Sequence, residues 1–113
     1  MLGWVNAVQA SVVMRESGPV VVLAGEADTT SAEQLRTLLV CQMWPGQARR
    51  LTVDVSELTF MDSSVVVVFV VAAKMLRERG GELVLLHPQE PVVKVLTLLG
   101  ADGAVSITED PVG

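Results

Sequence analysis

Cysteine and histidine are almost missing from the 113-residue sequence, which holds one of each, Cys41 and His87. A single cysteine cannot form an internal disulfide or a cysteine-only metal site. One histidine also leaves zinc short of its usual nitrogen and sulfur ligands. We therefore expect neither a metal nor another cofactor, and a reducing cytoplasm is the compartment that fits best.

Aromatic residues are scarce as well, at 4% of the chain with no tyrosine, and the net charge is −5. Proteins that bind single-stranded nucleic acid stack the bases on aromatic side chains. Phosphate backbones attract basic surfaces rather than acidic ones. Both features argue against nucleic acid as a partner.

Long hydrophobic runs are absent too. The most apolar run, Val65 to Ala73, has about half of the roughly 20 residues that a membrane-spanning helix needs. The first ten residues carry no Lys or Arg ahead of their apolar residues, as a secretory signal would. We expect no membrane insertion and no export.

What the sequence does have is enough apolar material for a core, because 50% of its residues are hydrophobic and 19% are charged. This balance excludes intrinsic disorder and predicts one globular domain over residues 1–113. Much of the valine occurs in short runs separated by Gly, Pro and Asp, a pattern that indicates a β-sheet.

The order of the predicted elements indicates the fold class. Val8–Arg15 and Val20–Ala24 flank the turn Glu16-Ser17-Gly18-Pro19 and predict an antiparallel hairpin. Further strands are predicted at Leu51–Val55, followed by a loop that reaches Asp62, at Leu83–Leu86 and at Val105–Thr108. Helices are predicted from a capping pair, Thr30 and Glu33, to a stop at Trp44-Pro45-Gly46, and over Ser63–Arg79 and Pro91–Leu99. Strands alternating with helices predict an α/β fold, with a mixed, mostly parallel sheet, an N-terminal hairpin and three to four helices.

The helix predicted over Ser63–Arg79 has two different faces. Its four consecutive valines favour a strand by propensity, but Val65, Phe69, Ala72 and Leu76 form a continuous stripe at helical spacing, which we assign to the core. The opposite face holds Ser63, Val67, Val70, Val71 and Lys74. Three valines beside a serine predict a partner or dimer surface, unless a loop or terminal segment covers them.

Asp62-Ser63-Ser64 is placed between a strand and that helix, beside free backbone N–H groups and the positive end of a helix dipole. Such a position suits a phosphate, but Asp and Ser are also ordinary helix caps. The spacing alone does not choose between these roles.

Other polar residues have simpler interpretations. His87 is expected in a loop or capping position before Pro88, and Cys41 as a small core residue. Glu26 and Asp28 precede a helix, where acidic residues favour the dipole. A hydrolase is disfavoured because the Gly-x-Ser-x-Gly motif is absent, and no glycine-rich loop of the Walker or dinucleotide type occurs.

Three motifs of the chain resemble those of the STAS domain of bacterial anti-sigma factor antagonists. Leu58-Thr59-Phe60-Met61-Asp62-Ser63-Ser64 resembles the family's signature loop, Gly25-Glu26-Ala27-Asp28 its motif before the first helix, and Gly80-Gly81-Glu82-Leu83 its turn into the next strand. The resemblance covers about Val8 to Ile107. It implies a STAS-like domain that regulates transcription by binding another protein, and not an enzyme.

The resemblance also implies a switch. In such proteins the serine directly after the Asp, here Ser63, is phosphorylated by an anti-sigma factor with serine kinase activity, and a serine phosphatase reverses this. The unphosphorylated protein captures the anti-sigma factor and frees a sigma factor. The residues expected at the partner interface are Glu26, Asp28, Asp62, Ser64, Val65, Val67, Val70 and Val71.

One position departs from the family pattern, because Val65 stands where the family usually has glycine after the serine pair. Valine adds a branched side chain beside the acceptor and is expected to slow a kinase that requires glycine. An alternative therefore stays open: an adaptor or scaffold module of the stressosome or transporter-accessory kind, in which Ser63 is never modified.

Overall fold

Among the described residues, the sheet has five strands in the order β1-β2-β3-β4-β5. The computed structural model describes residues 8–16, 18–43 and 50–108. The strands are β1 Val8–Arg15, β2 Gly18–Ala27, β3 Arg50–Met61, β4 Glu82–Leu86 and β5 Ser106–Thr108. β1 and β2 pair antiparallel, and each later strand adds in parallel to the one before it. The predicted N-terminal hairpin and mostly parallel sheet are confirmed.

Three α-helices connect the strands among the described residues: α1 Ala32–Met43, α2 Ser63–Glu78 and α3 Glu90–Leu98. A short 3₁₀ helix, Thr29–Ser31, leads into α1. The fold is thus the predicted α/β class. None of these helices is both long and apolar enough to cross a membrane.

α2 is the central helix of the core. The predicted stripe of Val65, Phe69, Ala72 and Leu76 is buried, with each residue 3% exposed or less. A valine costs up to about 0.7 kcal/mol against alanine in a helix, whereas burying its side chain gains about 1.5–3 kcal/mol. Packing therefore outweighs propensity in the valine run. Because α2 contacts both α1 and α3 as well as the sheet, further residues are buried that the stripe does not include, namely Val66, Val68 and Ala73.

β3 is longer than predicted. The loop expected after Val55 is a continuation of the strand to Met61, paired with β2 as far as Ala27. Two irregularities in this pairing, at Val22/Ala24 and Gly25/Glu26, shift the register. They break the alternation of apolar and polar residues, and the sequence pattern therefore resembles a loop.

Two expectations for α1 are wrong. Thr30 does not cap the helix: Asp28 caps the preceding 3₁₀ turn and accepts hydrogen bonds from Thr30. Cys41 is exposed and is not a core residue. At 100° per residue it lies opposite the buried row of Leu35, Leu39 and Met43. The stop predicted at residues 44–46 lies outside the described residues.

Candidate functional site

The site lies where β2 and β3 end side by side. Ala27 pairs with Met61, and the next backbone N–H, that of Asp62, donates to the Ala27 carbonyl at 2.8 Å. α2 begins at Ser63. The carboxyl ends of parallel strands and the amino end of a helix thus meet at one edge, which is where α/β sheets commonly bind ligands.

Asp62 organises this edge. Its Oδ2 accepts hydrogen bonds from the Ser64 backbone N–H at 2.9 Å, the Ser64 hydroxyl at 2.7 Å and the Thr29 hydroxyl at 3.1 Å. These bonds, with that of the Ser64 hydroxyl the largest cause, lower the pKa of Asp62 below its ordinary value. Asp62 is therefore an ionised N-cap of α2, in favourable contact with the helix dipole.

A second carboxylate stands beside the first. Asp28 Oδ1 accepts from the Thr30 hydroxyl at 2.6 Å, the Thr30 backbone N–H at 3.1 Å and the Ser31 hydroxyl at 3.2 Å. The pKa of Asp28 is lowered, with the Thr30 hydroxyl as the largest cause. Thr29, in the same turn, donates to Asp62 and joins the two clusters. Asp62 and Asp28 together consequently place two negative charges at the site at neutral pH.

The two serines of the motif differ in what their hydroxyls do. Ser64 is half-buried, and its hydroxyl is committed to Asp62. Ser63 is exposed, and its hydroxyl forms no hydrogen bond with any residue that the structure describes. Of this pair, Ser63 is the one that presents an accessible hydroxyl to a partner.

An apolar surface continues from Ser63 along α2. Val67 and Val71 are 59% and 46% exposed, and Val70 is half-buried. A groove of about 460 Å³ runs from the serines between α2 and the segment after α3. Its apolar walls include Val67 and Val70 on one side and Leu99, Ala101 and Ala104 on the other.

Val65 does not belong to this surface. Its side chain is fully buried in the core below the serine pair. The expectation that Val65 contacts a partner is therefore wrong for its side chain, and so is the expectation that its bulk stands beside the acceptor. The helical turn that exposes Ser63 and Val67 directs Val65 inward.

The remaining predicted residues reach the same edge. Glu26 is exposed near the end of β2, and the Thr59 hydroxyl donates to the carbonyl of Gly25 at 3.1 Å, which joins the two motifs. Gly25 has a φ of 95°, which favours glycine at this irregular position. His87 lies in a bend after β4, and its backbone N–H donates to Thr108.

Sequence reasoning missed Thr29 and the far wall of the groove. Thr29 could have been found as a hydroxyl next to Asp28 at a helix start, whereas Leu99 and Ala104 carry no local signal. They reach the site only because α3 packs near the start of α2. No group of three or more metal-binding side chains converges within the ranges that the structure describes.

Comparison with known proteins identifies the family. The family model described as "Mlab, STAS domain" matches residues 10–109. The chain belongs to the STAS domain family of anti-sigma factor antagonists. The anti-sigma-B factor antagonist of Listeria monocytogenes is 33% identical over 88 residues, which are 77% of this chain and 75% of that one. Its counterpart in Bacillus subtilis is 30% identical over 101 residues, 89% of this chain and 91% of that one.

Solved structures agree with this assignment. The unphosphorylated form of the anti-sigma factor antagonist SpoIIAA matches with a TM-score of 0.77 at 25% identity, over 90% of both chains. An anti-sigma factor antagonist from Mycobacterium paratuberculosis shares the fold, with a TM-score of 0.78 at 18% identity over 91% of this chain and 86% of that one. The STAS antagonists are regulatory binding proteins and not enzymes.

Proposed function

We propose that this protein antagonises an anti-sigma factor in the bacterial cytoplasm and that phosphorylation of Ser63 switches it off. Unphosphorylated, it binds the anti-sigma factor through the exposed edge around Ser63 and the valines of α2, and a sigma factor is released. The anti-sigma factor, acting as a serine kinase, transfers a phosphoryl group from ATP to the Ser63 hydroxyl. A serine phosphatase restores the active form.

One observation carries the proposal: Ser63 is an exposed hydroxyl without a hydrogen-bond partner among the described residues, next to a serine whose hydroxyl is held. A kinase must remove the proton of the hydroxyl that it phosphorylates. The Ser64 hydroxyl already donates that proton to Asp62 and is therefore less available for phosphorylation. The adjoining valines supply apolar area that a binding partner can cover.

The charge of the site indicates that a phosphate on Ser63 would make the partner dissociate and would not unfold the protein. A phosphoserine adds about −1.5 to −2 charge units at pH 7. At the first residue of α2 this charge is favoured by the helix dipole, so the fold tolerates it. Its charge adds to those of Asp62 and Asp28 on a chain of net charge −5. An acidic partner surface is therefore repelled, and an apolar one would have to bury a desolvated phosphate.

The adaptor alternative rests mainly on valine replacing glycine at position 65. Because the side chain of Val65 is buried, it does not obstruct the approach to Ser63. This supports the switch over an unmodified adaptor.

The test is phosphorylation by the cognate kinase. The purified protein is mixed with ATP and a candidate anti-sigma factor, and its intact mass is measured. The first candidate is any anti-sigma factor that a neighbouring gene encodes. We expect the mass of one added phosphate on the wild type and on Ser64→Ala, and none on Ser63→Ala. A phosphate lost in Ser64→Ala but kept in Ser63→Ala contradicts the assignment. A protein that binds a kinase-active anti-sigma factor and stays unmodified contradicts the phosphorylation switch.

A further inference from the structure

The outer edge of β1 is unusually open for pairing. β1 has eight residues, stands at the end of the sheet, and pairs with β2 without interruption from Val8 to Arg15. No described residue pairs with its other edge. Proteins usually protect such an edge with proline, lysine, a bulge or a short strand. β1 has none of these, whereas β5, at the opposite end, is only three residues long.

The side chains of β1 are apolar and exposed as well. Val12, Val13 and Met14 are 38%, 42% and 71% exposed. Ala10 and Val12 pair with Leu23 and Val21, both core residues, so the even-numbered side chains of β1 project on the core face of the sheet.

A groove lies on that same side, between β1 and α1. It has a volume of about 680 Å³. Val8 and Ala10 line it from the strand, and α1 contributes Leu35, Leu38 and Cys41 together with the polar Glu33, Gln34 and Thr37. A groove with a largely apolar lining thus lies beside the first half of β1, and an exposed methionine projects from the second half on the same face.

We propose that a second copy of this chain docks on β1, edge to edge and antiparallel. The two sheets then form one sheet of ten strands. A twofold axis perpendicular to the sheet relates two antiparallel edge strands and keeps the core faces of both sheets on the same side. Even-numbered residues therefore face even-numbered residues across the axis.

The groove narrows the register, because its strand residues are Val8 and Ala10, and the proposed register pairs Met14 with Ala10. With Val12 on the axis, Met14 lies opposite Ala10 of the second copy, at the mouth of that copy's groove, and the reverse contact forms by symmetry. Methionine is unbranched and fills irregular apolar space well. Arg15, the charged residue of β1, then faces Gln9, and no like charges meet within the strand pair. Because one chain carries both Met14 and the groove that receives it, a second copy of this chain is favoured over an unrelated strand as the partner of β1.

Disulfide trapping tests the register directly. Directly opposite residues of antiparallel strands have Cα atoms about 4.5–5.5 Å apart, within the range that a disulfide bridges. We expect Val12→Cys in a Cys41→Ser background to form a covalent dimer under mild oxidation. The matched control is Leu98→Cys in the same background, because Leu98 is 78% exposed and lies on α3. Equal rates of cross-linking in the two variants overturn the proposal.

Solution mass gives the second test. Light scattering after gel filtration at micromolar concentration should give the wild type twice the 12.0 kDa mass of one chain. Met14→Glu should return the mass of one chain with an unchanged circular dichroism spectrum. A wild type with the mass of one chain refutes the dimer. Because Met14 and Val67 lie on separate surfaces, Met14→Glu should still bind the anti-sigma factor and Val67→Asp should still dimerise, so this proposal and the switch can fail independently.

Discussion

Two valines of α2, only two residues apart, should differ sharply in how much stability they lose when each is replaced by alanine. Val65 is fully buried, whereas Val67 is 59% exposed. Val65→Ala removes two buried methyl groups, worth about 1.6 kcal/mol at about 0.8 kcal/mol each, and leaves a cavity. The better helix propensity of alanine returns at most about 0.7 kcal/mol. We expect the free energy of unfolding to fall by about 1.5–2.5 kcal/mol.

At Val67 the same two effects nearly cancel. Less than half of the side chain is covered, so its truncation loses about 0.6 kcal/mol of burial, which the helix propensity of alanine offsets. Urea denaturation should therefore leave Val67→Ala within about 0.5 kcal/mol of the wild type. For a chain of this length the loss at Val65 corresponds to a melting temperature roughly 8 °C lower.

Binding to the anti-sigma factor should show the reverse order. Val67→Ala should weaken the complex, while Val65→Ala, measured well below its melting temperature, should bind as the wild type does. If Val65→Ala and Val67→Ala lost equal stability, the orientation of α2, with Val65 in the core and Val67 on the surface, would be refuted. A wild-type affinity in Val67→Ala would refute the role of this face in binding.

Three further predictions concern substitutions that remove or introduce a charged side chain. Folding lowers the pKa values of Asp62 and Asp28, so the stability that the two carboxylates contribute is present above pH 3.8 and is lost as the pH falls through their folded pKa values. In urea denaturation at a series of acid pH values, the unfolding free energy of Asp62→Asn should therefore depend less on pH than that of the wild type. Glu82→Gln should cost under about 1 kcal/mol in urea denaturation, since its ion pair with Arg50 leaves the side chains 44% and 42% exposed. Val67→Asp should weaken anti-sigma factor binding in calorimetry while changing the melting temperature little.

Local periodicity was sufficient to predict much of the fold. The hairpin follows from two apolar runs around a Gly-Pro turn, and the core face of α2 from residues at helical spacing. The proposed acceptor, Ser63, was predicted from the family resemblance, which puts it directly after Asp62, whereas the residues alone left capping and phosphate binding equally open. What separates Ser63 from Ser64 is the hydrogen bond to Asp62, which requires the folded geometry.

The features that were missed depend on contacts between distant residues. The second half of β3 is a strand because β2 lies beside it, and its own residues do not alternate. Cys41 has the composition of a core residue but is exposed, because at 100° per residue it lies opposite the buried row of α1. The far wall of the groove at Ser63 comes from the segment after α3, which no pattern near the serine could indicate.

The geometry of the proposed dimer determines how many anti-sigma factors it binds. Ser63 lies at the carboxyl end of the parallel strands, and the twofold axis reverses the strand direction in the second copy. The two Ser63 surfaces therefore lie at opposite ends of the ten-stranded sheet, where neither blocks the other. We expect two chains to bind two anti-sigma protomers, measured as one site per chain by calorimetry. Half-site binding that becomes one site per chain in Met14→Glu would show that the two surfaces interfere, contrary to this arrangement.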